Sequence, residues 1–156
     1  MIKVADIEDL NIVYTIVCCA ISEIFPAFYP QVVVEFLLDY HSKENIKQDI
    51  LQGCIYLLFE ENIFVGTGTF KEKEISRIFI LPGYQGRGYG TKIMDILEKK
   101  VFIKYDNICL EASLSALNFY SKRGYKTIEN VEYSIGKEQV FSYFVMEKYR
   151  IPNVSL

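Results

Sequence analysis

Apolar residues near the start of the chain recur at the spacing of an amphipathic helix. They step by three or four positions: Leu10, Val13, Val17, Ala20 and Ile24. This spacing puts them on one face and predicts that the face packs against a core. Asp6 is placed to cap the helix, Pro26 cannot continue it, and the short apolar segment Ile2–Val4 is predicted as a strand.

Two more helices are predicted before residue 54. Pro30 suits the first position of a helix over residues 31–40, because its missing N–H would be unpaired there in any case. Ser42 is placed to cap the next helix, and Gly53 ends it.

The pattern then changes to that of strands. Residues 54–60, 63–70 and 74–81 are rich in β-branched and aromatic residues. Short polar breaks at 61–62 and 71–73 separate them, which is typical of hairpin turns. We therefore predict three successive antiparallel strands.

The second half alternates helices and strands. After a glycine-rich loop, an apolar stripe predicts a helix: Ile93, Leu97 and Val101. A strand over 108–112, a helix over 113–123 ended by Gly124, and strands over 125–128 and 139–148 follow.

The predicted order is strand, two or three helices, three strands, helix, strand, helix and two strands. No repeat, linker or low-complexity stretch interrupts it. This order predicts an α+β, or mixed α/β, fold in a single domain over residues 1–156.

Composition is ordinary for a soluble globular protein, with 51% hydrophobic residues, 24% charged residues and a net charge of −3. Residues 1–53 carry eight acidic and three basic side chains, whereas residues 54–156 carry twelve and fourteen. A nucleic-acid-binding protein normally has a concentrated basic face, so we expect no nucleic-acid partner. The uneven charge indicates that the later part handles an anion and the earlier part a cation.

Thiols and the lone imidazole form no recognisable metal site. The cysteines are Cys18, Cys19, Cys54 and Cys109. Their spacing matches no metal-ligand pattern, so we expect reduced thiols and no metal. His41 is expected to be structural or exposed, with a place in a substrate pocket as the alternative.

A membrane or secretory role is not expected. The longest early uncharged run, residues 10–22, is too short to span a bilayer. Acidic residues precede it where a secretory signal would be basic. We expect a cytoplasmic protein with no membrane partner.

A glycine-rich loop carries the most specific signal. After Pro82 the loop includes Gln85, Gly86, Arg87, Gly88, Tyr89, Gly90 and Thr91. Glycines at alternate positions permit unusual backbone conformations and close approach of a ligand. Consecutive N–H groups at a helix start bind anions, and Arg87 and Lys92 add positive charge. The loop is therefore predicted to bind phosphate or pyrophosphate.

Two common nucleotide motifs do not fit this loop. The dinucleotide fingerprint G-x-G-x-x-G belongs after the first strand of a βαβ unit, whereas here the order is Q-x-x-G-x-G after antiparallel strands. The pattern G-x-x-x-x-G-K-[ST] is absent from the sequence. A nucleotide-dependent kinase is therefore disfavoured.

The loop instead resembles the signature of the GNAT (general N-acetyltransferase) superfamily, [Gln/Arg]-x-x-Gly-x-[Gly/Ala] opening a helix. A second resemblance, Ala-x-x-x-Tyr-x-x-x-Gly-[Phe/Tyr], lies about thirty residues downstream. The matching residues are Gln85, Gly88 and Gly90 in the first motif and Ala116, Tyr120, Gly124 and Tyr125 in the second. The resemblance covers residues 54–149 by motif and residues 1–53 only by length and order of elements.

The resemblance implies a mostly antiparallel, twisted sheet of about seven strands, splayed after the fourth and flanked by four or five helices. Acetyl-CoA would lie in the gap as co-substrate. The residues it assigns to the coenzyme are Ile78, Phe79, Ile80, Gln85, Gly86, Arg87, Gly88, Tyr89, Gly90, Thr91 and Ser113. Ser113 stands where the family commonly has Asn. Lys122 or Arg123 would reach the 3′-phosphate, or would simply be solvated.

The same resemblance implies direct transfer of the acetyl group to an amine in a ternary complex. Tyr120 would protonate the leaving thiolate. Because a lysine-like amine is almost wholly protonated at neutral pH, a base is needed, and Glu74 and Glu111 are the candidates.

Three points stay open at this stage. The acceptor is a small-molecule or protein amine, and the acidic first part favours a cationic one. The alternative function is a non-catalytic module of the same fold that binds acyl-CoA. The assembly is a monomer or a homodimer joined through the apolar last strand.

Overall fold

The computed structural model of the protein describes residues 1–152. The helices are α1 (Leu10–Ile24), α2 (Gln31–Tyr40), α3 (Lys43–Leu51), α4 (Tyr89–Phe102) and α5 (Leu117–Lys122). The strands are β1 (Ile2–Val4), β2 (Ile55–Glu60), β3 (Ile63–Lys71), β4 (Glu74–Ile80), β5 (Asn107–Ser113), β6 (Lys126–Gly136) and β7 (Gln139–Tyr149). The mixed α/β fold predicted from the order of elements is confirmed.

The strands form one seven-stranded sheet in the order β1-β2-β3-β4-β5-β7-β6. Neighbouring strands are antiparallel except β4 and β5, which run parallel and pair only through Glu74 and Cys109. Beyond this pair the two strands diverge and leave a gap that reaches Ile80 and Ser113. The predicted splay after the fourth strand is therefore confirmed.

A bulge in β4 lies beside the start of the splay. Arg77 and Ile78 together face Gly68 of β3, and Arg77 has a φ of 48°, in the left-handed region. A Cβ on Gly68 would lie 2.8 Å from the Ile78 side chain and 2.9 Å from that of Leu97. A side chain at position 68 would therefore have to displace Ile78 and Leu97, so glycine favours the close packing of β4 and α4. Because bulges bend and twist a strand, this one turns β4 away from β5.

Helices cover both faces of the sheet. On one face, α1 packs against β3 and β4 and against α2 and α3, in a core that includes Val13, Val17, Ile55 and Leu57. On the other face, Ile93, Met94 and Leu97 of α4 pack against Tyr56, Leu58 and Val65. The predicted inward faces of α1 and α4 are thus the ones that build the core.

The helical run Ile7–Ala27 is long and apolar enough to cross a membrane by length and composition, with 21 residues and a mean hydropathy of 1.7. It exceeds the predicted apolar run because single helical turns, Ile7–Asp9 and Phe25–Ala27, flank α1. A core helix of a soluble fold has the same composition. Val13, Ile16 and Val17 are buried in the core between the helices α1 to α3 and the sheet, so α1 is a core helix.

Three predictions for the second half need correction. The helix predicted over 113–123 begins only at Leu117, because Ser113 still pairs in β5. The strand predicted over 125–128 continues to Gly136, since it is an exposed edge strand whose polar residues hide the pattern. The last strand, β7, lies between β5 and β6 and so offers no free edge to a second copy.

Candidate active site

The glycine-rich loop presents a row of unpaired amides at the start of α4. Gly86 and Gly88 have φ values of 73° and 81°, which side chains rarely adopt. Within residues 1–152, the N–H groups of residues 86–91 donate to no protein acceptor. Together with the positive end of the helix dipole, these amides form an anion-binding turn.

The loop borders a cavity of about 420 Å³, which we call the loop cleft. It extends from the glycine turn into the gap between β4 and β5. The structure brings eleven of the predicted site residues to its wall: Ile78, Phe79, Ile80, Gln85, Gly86, Gly88, Tyr89, Gly90, Thr91, Ser113 and Tyr120. A phosphate-bearing ligand with a long arm would fit this shape, with its anion at the turn.

Two loop side chains are occupied within the protein. Gln85 donates from Nε2 to the Ile80 carbonyl oxygen at 3.2 Å, so it ties the loop to the end of β4. Arg87 is absent from the wall of the loop cleft, and its guanidinium lies 5.3 Å from the ring centroid of Tyr84. The positive field at the turn therefore comes chiefly from the backbone.

A second cavity of about 590 Å³, which we call the ring pocket, lies on the α2 side of the splay. Aromatic rings from distant elements form one wall. Phe36 of α2 lies 5.9 Å from Tyr133 and 6.4 Å from Phe141 between ring centroids, and Phe141 lies 5.0 Å from Tyr143. Such contacts are within the range of favourable aromatic pairs, so the wall is a packed surface.

The strand wall beside these rings carries the two predicted carboxylates, since Tyr143 of β7 pairs with Ser113 of β5. Glu74 of β4 and Glu111 of β5 both line the ring pocket. Burial, followed by the nearby charge of Glu74, raises the pKa of the Glu111 carboxyl. Glu111 precedes Ser113 by two residues, so both side chains leave the same face of β5.

An arginine, a histidine and an aspartate form a further polar group in this wall. Arg77 donates from Nε to Nδ1 of His41 at 3.1 Å, and its other end pairs with Asp49. Burial, followed by the charge of Arg77, lowers the pKa of His41 to about 3. The imidazole is therefore neutral, and His41 lines the ring pocket as the sequence alternative proposed.

The two cavities meet in the splay. The residues common to both walls are Phe25, Ile78, Phe79, Ser113, Ala116 and Tyr120. Ligands in the two cavities would touch at this junction, and nowhere else along the described walls. This is where a group could pass from one to the other.

Tyr120 differs from its packed neighbours at the junction. It is 7% exposed, and its ring lies 5.7 Å from that of Tyr125. The Tyr125 hydroxyl donates to Glu98 at 3.0 Å, whereas that of Tyr120 has no partner among residues 1–152. Burial raises the pKa of Tyr120 strongly, so its phenol keeps its proton.

Arg123 is not available to a ligand in the way the resemblance implied. Its guanidinium bonds Asp95 at 2.8 Å and Glu98 at 2.9 Å and is largely buried. Lys122 next to it remains exposed. Of the two cations expected at a 3′-phosphate, only Lys122 stays a candidate.

Sequence reasoning missed several residues of the ring pocket. Asp49, Thr69 and Arg77 were not singled out, and neither was the aromatic wall. A signal existed for Arg77, because a lone arginine inside an apolar strand must be paired. No local signal marks the rings of α2, β6 and β7 as neighbours, since long-range pairing brings them together.

Comparisons with known proteins agree with this geometry. The acetyltransferase (GNAT) domain family matches residues 24–149. A GCN5-related N-acetyltransferase from Rhodopseudomonas palustris superposes with a TM-score of 0.87 at 23% identity, covering 96% of this chain and 95% of that one. PaiA N-acetyltransferase from Thermoplasma acidophilum, solved with coenzyme A, gives 0.77 at 21%, covering 96% and 98%.

A third similar structure is the ribosomal-protein-S18-alanine N-acetyltransferase from Escherichia coli. Its TM-score is 0.71 at 16% identity, and 100% of this chain and 97% of that one are covered. No protein among those of curated function matches the sequence. At these identities the structural likeness establishes the fold.

Proposed function

The chain belongs to the GNAT acetyltransferase family, and on that basis we propose that it transfers the acetyl group of acetyl-CoA to a primary amine while both substrates are bound. The observation that carries the proposal is the meeting of the loop cleft and the ring pocket at Tyr120. One cavity suits a phosphate-bearing carrier and the other an amine. The acetyl group would cross at their junction.

The loop cleft fits the coenzyme on the evidence of its own residues. The unpaired amides of residues 86–91 would hold the pyrophosphate. The edge of β4 that faces the splay, from Ile78 to Ile80, has no partner strand and would bond the coenzyme arm. Ser113, bonded to Ser115 through their hydroxyls at 2.7 Å, would meet the arm from β5.

Glu111 is the better of the two candidate bases. Its side chain leaves the same face of β5 as Ser113, which belongs to the junction, whereas Glu74 lies at the far end of β4. The raised pKa of Glu111 makes it a stronger base than an ordinary carboxylate. Glu74 would act on Glu111 through its charge.

Tyr120 would serve as the acid. Acetyl-CoA supplies a thioester whose carbon is attacked by the amine nitrogen while the carbon–sulfur bond breaks. An ammonium substrate first loses one proton to solvent. Glu111 then takes the proton that the neutral amine loses on attack, and Tyr120 gives one to the leaving sulfur. A thiolate released into this dry junction is a stronger base than in water, which suits a phenol of raised pKa. Proton exchange through solvent then restores both groups.

The proposed compartment is the cytoplasm. All four cysteines are free thiols in the structure. Free thiols persist in reducing compartments, which supports this placement.

The deciding experiment has two readouts. Calorimetry with acetyl-CoA measures binding to the loop cleft, and release of free thiol in the presence of an amine panel measures transfer. We expect both binding and turnover. Binding without turnover on any amine would favour the non-catalytic module, and no binding at all would overturn the assignment.

A further inference from the structure

We propose that the acceptor is an arylalkylamine: one primary ammonium on a short aliphatic arm, attached to an aromatic ring that carries a hydrogen-bonding group. The inference rests on the proposed function, because it names the acceptor in the ring pocket. It is argued from the pocket's rings, its charge and one unpartnered hydroxyl.

The aromatic wall provides the surface for a ring. Phe36, Tyr133, Phe141 and Tyr143 come from α2, β6 and β7 and pack with tilted rings along one side of the ring pocket. Tyr133 remains 51% exposed although it lies in this cluster. An aromatic ligand would cover these faces and add offset or edge contacts. A ligand without a ring, made only of a polar chain, would leave these ring faces exposed to water.

The charge of the ring pocket suits one cation. Five charged side chains line it: Asp49, Lys71, Glu74, Arg77 and Glu111. Asp49 and Arg77 form a salt bridge, whereas Lys71 lies across from Glu74 in the strand register without an ion pair between them. The formal charges of the five sum to −1, and no cation of the described residues forms a salt bridge with Glu111, so the wall suits a single ammonium.

An unpartnered hydroxyl marks the other end of the ligand. Thr69 is 3% exposed, lines the ring pocket, and its Oγ1 has no hydrogen-bond partner in the described chain. A buried hydroxyl without a partner is costly. A polar atom of a bound ligand would satisfy it.

Strand register places this hydroxyl and the carboxylate at opposite ends of one row. Thr69 pairs with Ser76 of β4. Ser76 and Glu111 each lie two residues beyond the Glu74–Cys109 pair, where β4 and β5 diverge, so they are further apart than neighbouring strands. The backbones at Thr69 and Glu111 are therefore more than about 10 Å apart, which is two ordinary strand spacings. An extended ligand with an ammonium at one end and a hydrogen-bonding group at the other suits that separation better than a short aliphatic amine.

Other amine classes fit less well. A linear polyamine would bring two or more further ammonium groups into a pocket whose lining has a net formal charge of −1 and whose Asp49 is already paired with Arg77. A peptide amino terminus would require acceptors and donors for its backbone, which the ring wall does not supply. The ring pocket thus favours a monocation with an aromatic body.

The test compares matched amines at saturating acetyl-CoA. Tyramine, phenethylamine, hexylamine, spermidine and an alanine-initiated peptide are assayed for kcat/KM by thiol release. Binding of tyramine to the CoA-loaded protein is measured separately by calorimetry. We expect tyramine to lead phenethylamine by about five-fold, from one additional hydrogen bond, and both to exceed hexylamine and spermidine.

Two variants on one strand sharpen the test. Thr69→Val should abolish the preference for tyramine over phenethylamine, measured as the ratio of the two kcat/KM values within the variant. Thr67→Val is the matched control, because the Thr67 hydroxyl donates to the Tyr56 carbonyl at 3.2 Å and lies outside the ring pocket. It should keep the preference even where it lowers stability.

The outcomes separate the inference from the proposed function. Preferred turnover of spermidine or the peptide, or equal turnover of all amines, would overturn the arylalkylamine acceptor while leaving acetyl transfer in place. Failure of tyramine to bind the CoA-loaded protein would do the same. Failure of acetyl-CoA itself to bind would remove the proposed function.

Discussion

Arg77 donates a hydrogen bond from Nε to Nδ1 of His41 at 3.1 Å, and this contact fixes the imidazole as a neutral ring with its proton on Nε2. The two residues are 36 positions apart, at the end of α2 and in the bulge of β4. Asp49 of α3 holds the other end of Arg77. Two helices and the central strand are thereby joined at the wall of the ring pocket.

The neutral state of His41 should make the fold sensitive to acid. Its pKa is about 3 in the folded protein and about 6.5 when unfolded. As the pH falls below 6.5, the unfolded chain gains a proton that the folded chain does not accept, so the free energy of unfolding decreases. By pH 4.5 the loss should be about 2–3 kcal/mol.

Urea unfolding at pH 7.5, 6.0 and 4.5 measures this effect. His41→Asn is the comparison, since its side-chain oxygen can still accept from Arg77 and does not titrate. The wild type should lose stability more steeply than the variant over this interval. Equal slopes would contradict the assigned pKa shift.

Tyr120→Phe should reduce turnover and leave coenzyme binding intact. Loss of the proton donor should lower kcat by about 10²-fold, while the acetyl-CoA Kd stays within about two-fold. Stopped-flow or steady-state thiol release and calorimetry provide the two numbers.

The control for this substitution is Tyr125→Phe. Its ring packs on Tyr120, but its hydroxyl is used by Glu98. It should lower the unfolding midpoint and keep kcat. A normal kcat in Tyr120→Phe would show that the phenol does not donate the proton.

Substitutions of Glu111 and Glu74 should have different effects on kcat/KM and on its pH dependence. Glu111→Gln should cost about 10² or more in kcat/KM, as loss of a general base does. Glu74→Gln should keep activity and move the acidic limb of the profile to lower pH, because Glu74 raises the pKa of Glu111. If the acidic limb lay at the same pH in the wild type and in Glu74→Gln, Glu74 would not influence the pKa of the base.

Gly88→Ala should weaken coenzyme binding. Gly88 has a φ of 81°, and alanine there would cost about 1–3 kcal/mol or shift the turn that presents the amides. The acetyl-CoA Kd should rise by roughly five-fold or more. Gly83→Ala is the control, since Gly83 lies just before the turn and a Cβ there meets no atom within 4 Å.

Glu98 should be the main polar contributor to stability behind the site. It accepts from Arg123, Tyr125 and Lys148, at 2.9 to 3.1 Å in the closest contact of each. Glu98→Ala should lower the free energy of unfolding by about 3–5 kcal/mol, because it leaves the largely buried cations of Arg123 and Lys148 without this carboxylate. Asp95→Ala, which removes the exposed partner of Arg123, should cost less than about 1 kcal/mol.

Local patterns in the sequence determined much of this protein. The three- and four-residue steps of α1 and α4 predicted their buried faces, and Pro82 with alternating glycines predicted an anion-binding turn before a helix. These features depend on residues that are close in the sequence, so they can be predicted without knowledge of the fold. The loop over residues 85–91 therefore placed one end of the loop cleft, to whose wall it contributes six residues.

Tertiary structure alone decided the ring pocket. The bulge at Arg77 depends on Gly68 in a different strand, and the contact of Arg77 with His41 and Asp49 joins three separate elements. The unpartnered hydroxyl of Thr69 and the facing charge of Glu111 are set by strand register. Register and packing arise from contacts between residues far apart in the chain, which a local pattern does not encode. For that reason the sequence determined the kind of chemistry, and the fold decided which amine it suits.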